Sequence, residues 1–237
     1  MLTIPEKILF GRLVKRYKRF FMDITLADGT TITAHTPNTG SMLGLLAPGN
    51  EVMLTKSDDP KRKTAFTAVA IKADGTWVGI NTHWPNALVA NSLSHELFAE
   101  LHHYKSVKRE VAYGPNLRSR IDLLLHSSDE NKPQLYLEIK NVTLKIGGHA
   151  QFPDAVSMRA RKHVEDLLWV LDQGHRAAIF FLVQRADCPY FAPAYSIDAH
   201  YGRMLKDAQH RGLMVKAFAS EISGSIVQIT HEIPCQL

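Results

Sequence analysis

Cysteine is scarce in this sequence: the 237 residues contain two, Cys188 and Cys235. They lie far apart and match neither a zinc spacing nor a redox pair, which excludes a disulfide-stapled scaffold and a thiolate metal centre. Both read as reduced thiols of a cytoplasmic protein. Long apolar runs are also lacking. The longest, "AAIFFLV", is far too short to span a bilayer, and the opening "MLTIPEKILFGRL" has no basic head followed by an apolar core, so neither a membrane span nor a signal peptide is expected. No Gly-x-Gly-x-x-Gly, Walker or nucleophile-elbow sequence occurs, and "HELFAELHH" lacks the His-Glu-x-x-His spacing of a zinc protease. The twelve histidines form no ligand set. Internal repeats and low-complexity segments are missing too.

What is present is an ordinary globular balance, 45% hydrophobic and 22% charged, with a net charge of +5. The basic excess is uneven. Residues 1–85 carry 11 Lys+Arg against 7 Asp+Glu, and the rest carries 17 against 16. A polyanionic partner bound by the first part is the expectation.

Two rhythms divide the chain. Up to about residue 85, short β-prone runs such as "RFFMDITLADGTTITAHT" and "TAFTAVAIKADGTWVGINT" alternate with turn signals, Asp28-Gly29 and Asp74-Gly75 among them. This suggests a small all-β unit the size of a five-stranded oligonucleotide-binding (OB) barrel over residues 1–85. From "NSLSHELFAELHHYKSV" the period becomes helical, with Asn91 or Ser92 as N-cap. Three strands follow, "KREVAYG", "RIDLLLH" and "QLYLEIKNVTL", then a helix over 156–172, the buried strand "AAIFFLVQ", a helix over 199–210 and two closing strands. Residues 86–237 thus read as a second, mixed αβββαβ domain, and the fold class as α+β.

The chemistry concentrates in that second domain. In "LYLEIK", alternation puts Tyr136, Glu138 and Lys140 on one strand face. If "RIDLLLH" pairs antiparallel with it, Asp122 joins Glu138 there. Two carboxylates converging at a strand edge suit a hard cation, Mg²⁺ or Mn²⁺, with Asp122 and Glu138 as ligands. Lys140 would orient water or stabilise charge on a phosphate. The competing reading is a charged surface strand in which Arg120 neutralises Asp122.

On the barrel, "KRYKRF" interleaves Lys15, Arg16, Lys18 and Arg19 with Tyr17 and Phe20, and "DDPKRKT" adds Lys61, Arg62 and Lys63. Basic groups beside aromatics suit phosphate contact and base stacking, although lysines also protect barrel edges from pairing. "HTPNTGSM", His35 to Met42, is either an anion-holding turn or a tight turn that needs Gly40.

The phrases "RSRIDLLL…LYLEIKNVTL", "REVAYG", "FPDAVSMRARKHVEDL", "VKRYKRFFMDI" and "HTPNTGSMLGL" together resemble the sugar fermentation stimulation protein A family along nearly the whole chain. The resemblance implies an OB-like barrel followed by a PD-(D/E)xK nuclease-like domain, with Asp122, Glu138 and Lys140 as the motif's aspartate, second carboxylate and lysine. Ile121 stands where the motif has proline. It also implies DNA as partner and a role in sugar utilisation. Glu100 and Glu110 are the candidates to complete such a site; each is equally readable as a surface charge. Asp154 is expected to cap the following helix, and "RARKH", Arg159 to His163, to offer either phosphate contacts or a solvated face. Three functions stay open: a regulatory DNA-binding protein retaining a nuclease-like site, an active Mg²⁺-dependent phosphodiesterase, and a scaffold or sensor that touches no nucleic acid.

Overall fold

The structure is a computed structural model that describes residues 1–4, 7–127, 129 and 131–237. Strands β1 (Leu2–Thr3), β2 (Ile8–Tyr17), β3 (Phe21–Leu26), β4 (Thr31–His35), β5 (Glu51–Lys56), β6 (Phe66–Ala73) and β7 (Thr76–Gly79) precede the first helix. β2 pairs antiparallel with β3 and β5, β3 with β4, and β5 with β6. A parallel pairing of Ala34 with Phe66 and His35 with Thr67 joins β4 to β6 and closes a five-stranded barrel. The two Asp-Gly turns fall where hairpins need positive φ: Gly29 at 83°, and Asp74 and Gly75 at 51° and 77°. Inward residues such as Leu13, Met22, Ile24, Val52, Leu54 and Ile71 form the buried core of the barrel.

The second domain is built on α1 (Trp84–Ser92), β8 (Tyr104–Tyr113), β9 (Ser119–Ser127), β10 (Leu135–Val142), β11 (Leu144–Ile146), β12 (His149–Phe152), α2 (Met158–Asp172), β13 (Arg176–Val183), β14 (Phe191–Pro193), α3 (Tyr195–His210), β15 (Met214–Ser223) and β16 (Ile226–Ile233). Its seven-stranded sheet runs β1-β16-β15-β13-β10-β9-β8. β10, β13 and β15 are parallel, and "AAIFFLV" sits in the middle strand, buried on both faces as central parallel strands are. One face packs on α2 and α3 through Val164, Leu167, Tyr201 and Leu205. The other packs on α1 and on Met53, Val69 and Ala70 of the barrel, so both units contribute to one continuous core.

Three readings of the sequence need correction. The first residues leave the barrel, because Leu2 and Thr3 pair with Val227 and Ile226 at the far edge of the second sheet. The helix read from Asn91 onward ends there instead of beginning: Pro85 fits its first turn, Ser92 is its last residue, and Glu96–Leu101 forms a short 3₁₀ segment before Tyr104 opens β8. Its leucine period is packing onto the sheet, where Phe98 and Leu101 are buried. Residues 144–152, read as part of a strand and a connection, fold as a hairpin around Gly147 and Gly148 that joins β14 in a small separate sheet. No described helix is long and apolar enough to cross a membrane.

Candidate active site

β9 and β10 pair from Leu125–Leu135 to Leu123–Leu137, and there the ladder stops. The next group on β9 is Asp122. Its Oδ2 accepts the Ile139 backbone hydrogen at 2.6 Å, substituting for a strand carbonyl, and its Oδ1 accepts from Asn86 Nδ2 on α1 at 2.7 Å. The paired part of the two strands therefore ends at a carboxylate.

Glu138 and Lys140 project from one face of β10, 4% and 8% exposed. Burial of this kind is tolerable for charges only when they are paired. Lys140 Nζ donates to Glu138 Oε1 at 2.7 Å, and His163 Nδ1 of α2 hydrogen-bonds the same oxygen. Arg159 Nε donates to the opposite ring nitrogen of His163 at 3.4 Å, and Lys140 Nζ lies 3.2 Å from Nδ1, so a proton on Nδ1 is the arrangement in which the ring donates to Glu138. Oε1 is thereby saturated. Oε2 of the same carboxylate is buried with no hydrogen-bond partner.

The electrostatics follow from this arrangement. Burial pushes the Asp122 carboxyl up, the Glu138 charge adds to it, and the hydrogen bonds from Ile139 and Asn86 only partly offset them, leaving it at about 7. Burial also opposes ionisation of Glu138, but Lys140 and His163 outweigh it and hold that carboxyl down at about 2. Tyr113, whose hydroxyl is buried and unpartnered, is raised by burial and by Glu138, Asp166 and Asp122. A cation between Asp122 and Glu138 Oε2 would relieve their repulsion and satisfy the orphaned oxygen, so these two residues fit a divalent metal. Among the described residues no group of three His, Cys, Asp or Glu side chains stands ready to hold one.

The remaining candidates divide. Glu100 is drawn away by Lys216 on β15, 2.7 Å from its carboxylate. Glu110 lies on β8 opposite Asp122 of β9, exposed and at a φ of 53°. Asp154 does not cap α2; Ser157 does, its Oγ accepting from Ala160 N at 3.1 Å. Asp154 instead accepts from Ser41 Oγ at 2.9 Å and Met42 N at 3.1 Å in the barrel loop. The anion that this loop holds is thus a carboxylate of its own chain. "RARKH" splits by helix face. His163 enters the site, Arg161 pairs with Asp198 at 2.7 Å, and Lys162 pairs with Asp166 at 2.5 Å. His163 and Asn86 were missed as site residues; a histidine on the buried stripe of Ala160, Val164 and Leu167 is the one signal that marks the first, and nothing local marks the second.

On the barrel, Arg16 is half-buried and donates to the carbonyls of Asn38, Gly40 and Arg19, while Arg19 donates to Thr39. Both arginines hold the 38–41 loop. Tyr17 bonds Asp23 at 3.2 Å, and Lys15 lies over its ring at 5.6 Å. Lys18, Lys61, Arg62 and Lys63 are exposed, Arg62 reaching Thr67 Oγ1 at 2.8 Å.

Comparison with known proteins agrees with this architecture part by part. Residues 14–80 match the family described as "SfsA N-terminal OB domain", and residues 83–225 match "Sugar fermentation stimulation protein RE domain". The chain is similar to the sugar fermentation stimulation protein homolog of Geobacter sp. (strain M21), 44% identical over 236 residues and the full length of both. It is also similar to that of Maricaulis maris (strain MCS10), 43% identical over 237 residues, covering 100% of this chain and 99% of that one. The solved structure of Pyrococcus furiosus SfsA in complex with Ca²⁺ has the same fold, with a TM-score of 0.87 at 23% identity over the whole of both chains. With both domains matched in order and full-length relatives above two-fifths identity, the chain belongs to the sugar fermentation stimulation protein family.

Proposed function

We propose that this protein binds nucleic acid, DNA foremost, and cleaves a phosphodiester at a Mg²⁺- or Mn²⁺-dependent site formed by Asp122, Glu138 and Lys140. The observation that carries this reading is the half-used Glu138 carboxylate: Oε1 is saturated by Lys140 and His163, Oε2 is buried and unpartnered, and Asp122 is near enough for the Glu138 charge to raise its pKa. A buried acceptor left without a partner costs roughly 1–3 kcal/mol, which a bound cation removes. That a related fold was solved in complex with Ca²⁺, another hard oxygen-seeking cation, supports the same choice of metal class.

Each residue has a distinct task. Asp122 and Glu138 hold the cation, which when bound supplies Lewis acidity toward a phosphoryl oxygen and lowers the pKa of water. Ile139 N and Asn86 fix the Asp122 carboxylate, and His163 fixes Glu138 through one oxygen and leaves the other without a hydrogen bond. Lys140 places an ammonium at the same strand face, where it stabilises negative charge developing on the phosphate. The exposed basic groups Lys15, Lys18, Lys61, Arg62 and Lys63 draw the polyanion toward the barrel.

The test is to incubate wild type, Asp122→Ala and Lys140→Ala with labelled single- and double-stranded DNA and RNA in Mg²⁺, Mn²⁺ or EDTA, reading binding and cleavage together. Expected are metal-dependent products with wild type, none with either variant, and retained binding by all three. Binding without metal-dependent cleavage by wild type would reduce the protein to a DNA-bound regulator, the role that the family's sugar-utilisation name suggests. Absence of binding would leave the scaffold or sensor reading.

A further inference from the structure

Where the barrel meets the end of β10, a cavity of about 130 Å³ is lined by Asn38 and Gly40 of the barrel loop, by Asn141 and Thr143 just past Lys140, and by Gln151 and Asp154. Val142, also in its wall, shares a strand face with Lys140 two residues earlier, so the cavity begins about 7 Å along the strand from the ammonium-bearing residue.

The lining is unusual in what it leaves undone. Asn38 and Thr143 are each 5% exposed. Asn38 Oδ1 accepts from Gly40 N at 2.8 Å, but its Nδ2 and the Thr143 hydroxyl make no hydrogen bond among the described residues, and both residues line the cavity. Its walls are held in place. Arg16 donates to Asn38 O and Gly40 O, each at 2.9 Å, and Ser41 ties the loop to Asp154. The space is therefore preformed, polar, and presents at least one free donor and one free hydroxyl.

The chemistry of the lining narrows the occupant. A phosphate would meet the Asp154 carboxylate and be repelled. An apolar group would leave the Asn38 amide and the Thr143 hydroxyl unpaired. A base pair is too wide. A single planar heterocycle with donors and acceptors on its edge fits both the size and the groups, because carboxamides and hydroxyls are the side chains that read base edges. We infer that this cavity receives one nucleobase, unstacked from the bound strand and adjacent to the phosphate at Lys140, and so gives the site a positional base dependence. The inference rests on the nucleic-acid reading proposed above.

Unstacking is favoured when the pocket replaces the stacking that the base gives up, as in sites that take a base out of a strand. The loss of one such base should cost about tenfold in affinity. The experiment measures binding of a short single-stranded oligonucleotide carrying one abasic residue, moved position by position, by the Lys140→Ala protein in Mg²⁺. Two further variants on that background alter the pocket: Thr143→Val removes the hydroxyl at constant shape, and Thr143→Leu fills the space.

The expected result is an affinity loss confined to one position. Thr143→Leu should bind the intact strand as weakly as the parent binds that abasic strand, with no further loss from the lesion, and Thr143→Val should lie between. If Thr143→Leu does not fold, Thr143→Val carries the comparison. Losses spread evenly over positions, losses from lesion and variant that simply multiply, or no binding of any strand would overturn the inference. A wild type that shows the position-specific loss yet cleaves nothing keeps the pocket and sinks the nuclease reading; cleavage with no position-specific loss does the reverse.

Discussion

The Asp122 carboxylate accepts the Ile139 amide hydrogen at 2.6 Å in the place where strand pairing would have put a carbonyl, one residue beyond the last β9–β10 pair. The sheet is opened by a side chain that satisfies the backbone it displaces. The Ile139 N–H is not orphaned by the opening, and the next carboxylate along β10, Glu138, stays buried.

Asp122 should make stability pH-dependent in a defined window. Its ordinary value is 3.8 and its folded value about 7. Between them the native state binds more proton than the unfolded chain, so stability falls as pH rises from about 4 to about 7 and the loss is complete above, with an upper bound of about 4 kcal/mol. Urea denaturation across that range should show the fall in wild type and a flatter profile in Asp122→Asn. Mg²⁺ should stabilise wild type more at about pH 8 than at about pH 5, since the ligand must be ionised.

His163 holds Glu138 through one ring nitrogen, and an asparagine can offer an N–H at similar reach. Removing such a supporting hydrogen bond lowers metal affinity by roughly 10–100-fold. His163→Leu should therefore shift the Mg²⁺ dependence of the melting temperature to higher concentration, and His163→Asn should restore most of it. Equal curves for all three proteins would remove His163 from the site.

The bridge from Ser41 and Met42 to Asp154 joins the barrel loop to the second domain. Asp154→Ala removes a charged acceptor from two donors and should cost about 1.5–3 kcal/mol in global stability. Ser41→Ala, which loses one of these bonds, should cost less. Denaturant midpoints at constant m-value check both.

The basic run should separate into two functions. Lys15→Gln with Lys18→Gln, Lys61→Gln and Lys63→Gln should weaken nucleic-acid affinity and reduce the slope of log affinity against log salt, by about 0.9 for each duplex phosphate no longer neutralised. Arg16→Ala should chiefly lower stability, because its guanidinium is committed to loop carbonyls. Filter-binding titrations beside thermal melts distinguish these effects.

Glu100→Gln should leave the Mg²⁺-induced shift in melting temperature unchanged, because Lys216 already occupies that carboxylate. A reduced shift would place Glu100 among the ligands.

The barrel was legible because Asp-Gly turns and alternating strands carry local signals, and the second domain because a long apolar strand and two amphipathic helices do the same. The face shared by Glu138 and Lys140 followed from the period of a strand alone. Other features depend on distant parts of the chain meeting. Leu2 and Thr3 join β16 because that edge lies free in the folded sheet, which no short segment encodes. Asp154, next to a helix start, looks like a cap, yet a loop more than a hundred residues earlier takes its carboxylate and leaves the cap to Ser157. The sequence by itself determined which residues are charged within apolar strands and how they alternate. Only the tertiary structure decided that Asn86 from a helix and Ile139 from a neighbouring strand would share the Asp122 carboxylate, and that His163 would claim one oxygen of Glu138 and leave the other free. A hydrogen bond depends on distance and direction between groups, and those are set by the packing of whole elements, not by the residues beside them.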